Sequence, residues 1–136
     1  MKKLLLSVLF LVGMSLLFCS CERLEKENIC DTMAGFWVEE YETYRDDVYY
    51  LLEFTKDGIM KLYVPHPVSF SSYDNGVLYT PAASKWEEES SGEFSVTDGI
   101  YYGPYFNGET IEVINNDTIC FGGDENLLRV KTFSTK

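Results

Sequence analysis

Carboxylates are the side chains best equipped for chemistry in this chain. They are densest in two runs: Glu39, Glu40 and Glu42, and then Glu87, Glu88 and Glu89. Glycoside hydrolysis needs two carboxyl groups about 5–9 Å apart across a cleft, in contrasting surroundings. Consecutive residues of a strand point to opposite faces, so a sequential run does not make such a pair by itself. Both runs read as solvated faces. His66, the single histidine, lies between Pro65 and Pro67 and reads as a loop residue at a strand end. The serines at 69–72 and 90–91 come without an accompanying His/Asp pattern, and no nucleophile elbow is present. A phosphate-cradling glycine loop, a CxxC pair and a histidine pair are also absent from the sequence. The expectation is a protein that is not an enzyme and carries no cofactor and no metal site.

Rings offer a different chemistry, that of contact. Tyr101-Tyr102-Gly103-Pro104-Tyr105-Phe106 places four aromatics around a Gly-Pro bend. Aromatics presented outward stack on sugars or anchor protein interfaces. Turned inward they are ordinary core filling. Trp86, Tyr101, Tyr105 and Phe106 are therefore the candidate ligand-binding residues. Net charge narrows the partners further. Eleven basic against 22 acidic side chains give −11, a field that repels nucleic acid and favours basic partners. The bland reading is that acidity keeps the protein soluble.

The elements that would position these residues are strands. Ten tyrosines and nine phenylalanines in 136 residues favour pleated surfaces, and the length allows one domain. Residues 48–64 hold the clearest pattern: Val48, Tyr50, Leu52 and Phe54 alternate, Asp57-Gly58 turns, and Met60, Leu62 and Val64 alternate again. A first strand is expected over residues 33–44, with Phe36 and Val38 on one face and Trp37, Glu39 and Tyr41 on the other. Pro65-His66-Pro67 should end the hairpin, because proline offers no N–H to a ladder. Later turns are marked by Asp74-Asn75-Gly76, Asp98-Gly99, Asn115-Asn116-Asp117 and Gly122-Gly123-Asp124-Glu125. Between them Phe94 and Val96, Ile100 and Tyr102, Ile111 and Val113, Ile119 and Phe121, and Leu128 and Val130 supply the period-two pairs. About eight to ten short strands follow, an antiparallel meander curling into a small β-barrel. Phe36, Tyr50, Phe54, Phe94, Tyr102 and Phe121 would fill its interior and leave a shallow mouth.

Lys2-Lys3 and the apolar run after them read as a secretory signal. Ser20-Cys21 at its end resembles the lipobox of bacterial lipoproteins, and the charged Glu22, Arg23, Glu25, Lys26 and Glu27 follow it. That resemblance implies a signal peptide over residues 1–20, acylation (palmitate included) at Cys21, and a polar tether over residues 21–32. The lipid would hold the protein to the outer membrane of a bacterial cell envelope, facing the periplasm or the surface. Each buried CH₂ adds about 0.8 kcal/mol of membrane affinity, so several chains anchor firmly. Cys30 and Cys120 then remain in an oxidising compartment. A disulfide between them would close about ninety residues and contribute roughly 4–5 kcal/mol on the chain-entropy model. Two separate thiols fit the sequence equally well.

Gly35-x-Trp37, the Glu53-Phe54-Thr55-Lys56-Asp57-Gly58 hairpin, Gly92-x-Phe94 with Asp98-Gly99, and a final strand carrying Arg129 resemble the small lipocalin-like lipoproteins of Bacteroidetes. The resemblance implies a lipocalin-like barrel over residues 33–136, with Arg129 over the Trp37 indole as a structural plug. Two functions are compatible with this. One is non-enzymatic binding of a small apolar or sugar-like ligand at the barrel mouth, which calls for a pocket of roughly 300 Å³ or more. The other is a protein-interaction module, an inhibitor or assembly subunit docking on a basic protein with steep salt dependence. The sequence leaves the oligomeric state open. For the anchor, Cys21→Ser is expected to abolish labelled-palmitate incorporation and leave an unprocessed precursor by mass spectrometry, whereas Cys19→Ser does neither, since Phe18 is too bulky for the position before the cut.

Overall fold

In the computed structural model, residues 29–136 are described; the expected signal peptide, Cys21 and most of the expected tether lie outside them. The described residues are all-β apart from two short helical turns, α1 (Ile29–Met33) and α2 (Glu40–Thr43). Seven strands form one antiparallel sheet. In spatial order they are β6 (Lys85–Glu93), β3 (Ile59–His66), β2 (Leu51–Phe54), β1 (Gly35–Glu39), β11 (Glu125–Val130), β10 (Thr118–Phe121) and β9 (Ile111–Asn115). A second sheet holds β4 (Ser72–Asp74), β5 (Val77–Thr80) and β12 (Thr132–Thr135), and β7 (Ser95–Thr97) with β8 (Ile100–Tyr102) makes a separate hairpin.

Strand β1 is central because neither of its faces is polar enough for water. Trp37 points to one side and Val38 to the other, and both are fully buried. On the core face, Trp37 joins Leu52, Phe54, Met60, Leu62, Ile119, Phe121 and Leu127 in a single cluster. That cluster gathers residues from β3 near one edge of the sheet and from β9 at the other, so the sheet must curl around it. The β7–β8 hairpin adds Val96 and Tyr101 to the cluster. Its neighbourhood ties to both sides, through Phe94 N–H to the Gly58 carbonyl (2.9 Å) and Ile111 N–H to the Gly99 carbonyl (2.9 Å). On the back face, Val38, Leu51, Val130 and Val48 pack with Leu78 of β5, roofed by the smaller sheet.

One end of the core face is sealed by Arg129. Its guanidinium carbon lies 4.3 Å from the centre of the Trp37 ring, a cation–π contact. Arg129 Nη1 donates to the Ala34 carbonyl (2.8 Å), Nη2 to the Thr32 carbonyl, and Nε to the Asn116 carbonyl (2.8 Å). Trp37 Nε1 in turn donates to Met33 O at 2.8 Å, which seats α1 and buries Ile29 and Met33 in the core. Gly35 has to be glycine here. Its φ is +131°, and a Cβ would come within 2.7 Å of Arg129 Nη1.

Several expectations need correction. Hydrogen bonding among the described strands does not close into a barrel: β6 and β9 are the two edges of the seven-stranded ladder. The described residues form twelve strands, and β12 runs parallel to β5 instead of continuing an antiparallel meander. The first strand stops at Glu39, and Tyr41 sits exposed on α2. Val48 packs on the back face and bridges Ser71. Strand β3 does end inside the Pro65-His66-Pro67 triplet, at His66, but Pro65 is still part of it, buried opposite Trp86. Ile29 and Met33 place the start of the folded body before residue 33. Tyr101, not Tyr102, faces the core, because the two-residue Asp98-Gly99 turn pairs Tyr101 with Val96. Tyr50 and Tyr102 are solvent-exposed, and Phe36 packs toward the back-face cluster.

Arg129→Lys keeps the charge but loses the planar fork that serves three carbonyls. Urea denaturation should show a loss of about 1–3 kcal/mol. Lys131→Ala, which removes an exposed ion pair to Asp117 (3.0 Å), should cost about 1 kcal/mol or less in the same assay.

Candidate functional site

Two residues beyond Trp37 on β1, on the same face, stands Glu39. It is paired across the ladder with Leu127, and Glu125 lies on β11 two residues before Leu127. The core face therefore carries a sealed cationic end at Arg129 and an acidic end at Glu39 and Glu125, with Trp37 and Leu127 between. At the acidic end a cavity of about 450 Å³ opens to solvent. Leu52 and Leu62 form its apolar floor with Val64 and Phe106. Tyr49, Tyr50 and Tyr105 supply aromatic walls, the first two meeting edge to face at 4.9 Å. Glu89, on the edge strand β6, faces the same space.

Electrostatics at the acidic end are unusual. Glu39 and Glu125 share a hydrogen bond, which two ionised carboxylates cannot make. That bond, then burial, then the charges of Glu125 and Glu42, push the Glu39 carboxyl up to about 8. A raised carboxyl in contact with a second one means that the pair holds a shared proton at neutral pH. Burial also raises Glu42, although its carboxylate accepts the Tyr49 N–H (3.2 Å). Asn126 Nδ2 donates to Glu40 Oε1 at 3.0 Å and fixes α2 against β11. Among the described residues, no lysine or arginine lines the cavity.

The sequence-derived candidates are scattered. Tyr105 is exposed at the cavity rim, and Phe106 lies beneath it, stacked on Phe121 with ring centres 4.1 Å apart. Tyr101 is fully buried behind them, its hydroxyl donating to the Pro104 carbonyl at 3.0 Å, and it does not line the cavity. Trp86 is on the back face, where Nε1 donates to Thr80 Oγ1 (3.0 Å) beside a shallow groove that includes Phe133. The structure thus unites Tyr105 with Phe106 and separates both from Trp86. Glu87 and Glu88 are exposed, but Glu39 and Glu42 are not the solvated face expected of them. Cys120 is a buried free thiol, and the Cys30 side chain lies outside the described residues.

Comparisons with protein-family models, with curated proteins and with solved structures find no match. The site has to be read from its own chemistry. Among the described residues, no group of three or more His, Cys, Asp or Glu side chains could hold a metal ion, and no helix is long and apolar enough to cross a membrane.

A carboxyl whose value is raised on folding favours the native state at low pH. That contribution is fully present below the ordinary value of 4.5 and is lost as pH rises through about 8. Urea-derived stability should accordingly fall between pH 5 and pH 8.5, and fall less in Glu39→Gln. Carbon-detected NMR should show Glu39 titrating near 8, and Glu125→Gln should move it down toward 4.5.

Proposed function

We propose that the protein is a membrane-tethered, non-enzymatic binding domain of lipocalin-like design. It is held to the bacterial envelope through Cys21 and takes a small ligand with a substantial apolar part at the mouth of the curled sheet. The observation that carries this reading is the 450 Å³ cavity over Leu52, Leu62, Val64 and Phe106, set above an otherwise filled core. Pockets of a few hundred cubic ångströms with an apolar floor and a few polar groups at the rim are the usual form of small-molecule sites. Arg129 over Trp37, next to Gly35, gives the sheet a sealed end, and a binding cup needs one.

Native mass spectrometry of the protein purified from its own envelope tests the reading. A retained small ligand is the expected result. Val64→Phe, which extends a ring into the cavity, should release that ligand while leaving the far-ultraviolet circular dichroism unchanged. A ligand-free protein that instead co-purifies with a basic protein, in a complex dissociating with salt, would support the docking-module alternative and overturn the small-ligand reading.

A further inference from the structure

Three features of the cavity point to more than apolarity. Its floor is aliphatic and aromatic, its walls are tyrosine rings, and among the described residues its lining carries three carboxyl groups, Glu39, Glu89 and Glu125, and no basic side chain. We infer that the cavity selects ligands built from an apolar body and one cationic amino head, the head seated between the Glu39–Glu125 pair and the tyrosine walls. This rests on the small-ligand reading above and specifies its ligand.

The body of such a ligand would cover Leu52, Leu62, Val64 and Phe106, displacing water from apolar surface. Its ammonium would find two kinds of partner. Tyr49, Tyr50 and Tyr105 offer π faces or edges at the wall, and a cation over an aromatic face is attracted by the ring quadrupole. The paired carboxyls offer charge-assisted acceptors, stronger than neutral ones. An anionic ligand would meet Glu89 and Glu125 with no compensating cation on the lining, so the lining discriminates by repulsion as well as by attraction.

Binding is linked to proton release. Glu125 from β11 and Glu42 from α2 lie beside Glu39, and Glu89 from β6 and the phenols of Tyr49, Tyr50 and Tyr105 line the same cavity; all are acids. Among the described residues nothing cationic on the lining competes for the shared proton's place, so an entering ammonium replaces the proton as the positive charge between the two carboxyls. The proton leaves to buffer, and the ligand's N–H groups take over the hydrogen bonds.

Hexylamine, hexanol and hexanoate form a series with one body and three heads. Each is titrated calorimetrically into the mature lipidated protein in nanodiscs, with empty nanodiscs as blank and two buffers of different ionisation heat. Hexylamine is expected to bind at least about tenfold more tightly than hexanol, with hexanoate weakest and measurable proton release at pH 7. Glu125→Gln should remove most of the amine preference while hexanol affinity, which also reports that the variant is folded, stays unchanged. Equal binding of hexanol or hexanoate would overturn the cationic-head inference and leave the small-ligand reading standing. Failure of all three to bind would overturn both.

Discussion

Trp37 and Val38 leave opposite faces of one short strand, and both are completely shielded from water. That constraint organises the rest of the molecule. A strand with two apolar faces needs neighbours on both edges and a layer on both sides. Here β2 and β11 supply the edges, the curled sheet supplies one layer, and the β4–β5–β12 sheet supplies the other. The back-face layer is tied down by directed bonds as well as by packing. Tyr73 donates its hydroxyl to the Arg129 carbonyl at 2.8 Å, and Ser71 Oγ meets Thr80 Oγ1 at 3.1 Å. Arg129 consequently serves both sides, its side chain at the sealed end and its backbone under the roof.

The same strand sets the polarity of the core face. Trp37 and Glu39 are two residues apart and share a side, so a single run of Gly35–Glu39 carries the plug and the first carboxyl of the mouth. On β11, Arg129, Leu127 and Glu125 repeat the order in the opposite chain direction. Antiparallel pairing brings cation to indole at one end and acid to acid at the other.

Turns and most strands were legible from sequence because their signals are local. Asp98-Gly99 and Asn75-Gly76 adopt positive φ as their residue types allow, and alternation placed Leu52, Phe54, Met60 and Leu62 correctly on the core face. What misled was reading alternation without the turn. Ile100 and Tyr102 looked like the inward pair, yet Val96 is inward and a two-residue turn sets Tyr101 opposite it. The acidic pair was visible only in half. Glu39 shares a face with Trp37 by simple parity, but its partner Glu125 lies 86 residues away, in a stretch that reads as a turn. Trp86 illustrates the opposite limit. Nothing local says which side of an edge strand it takes, and the roof formed by β5 and β12 decides it. The parallel β12 has no sequence mark beyond Phe133, and only the exposed edge of β5 gives it a place.

The partner of β1 on one side, β11, arrives about ninety residues later along the chain, a span whose closure entropy must be met before the pairing can help. Such long-range topology folds slowly compared with helical bundles of similar size. Until β11 docks, Trp37 and Val38 have nowhere dry to go, and the N-terminal hairpin presents a sticky open flank. For a chain whose strands arrive in this order, the interval before β11 docks is the time during which that flank stays open to the strands of other molecules.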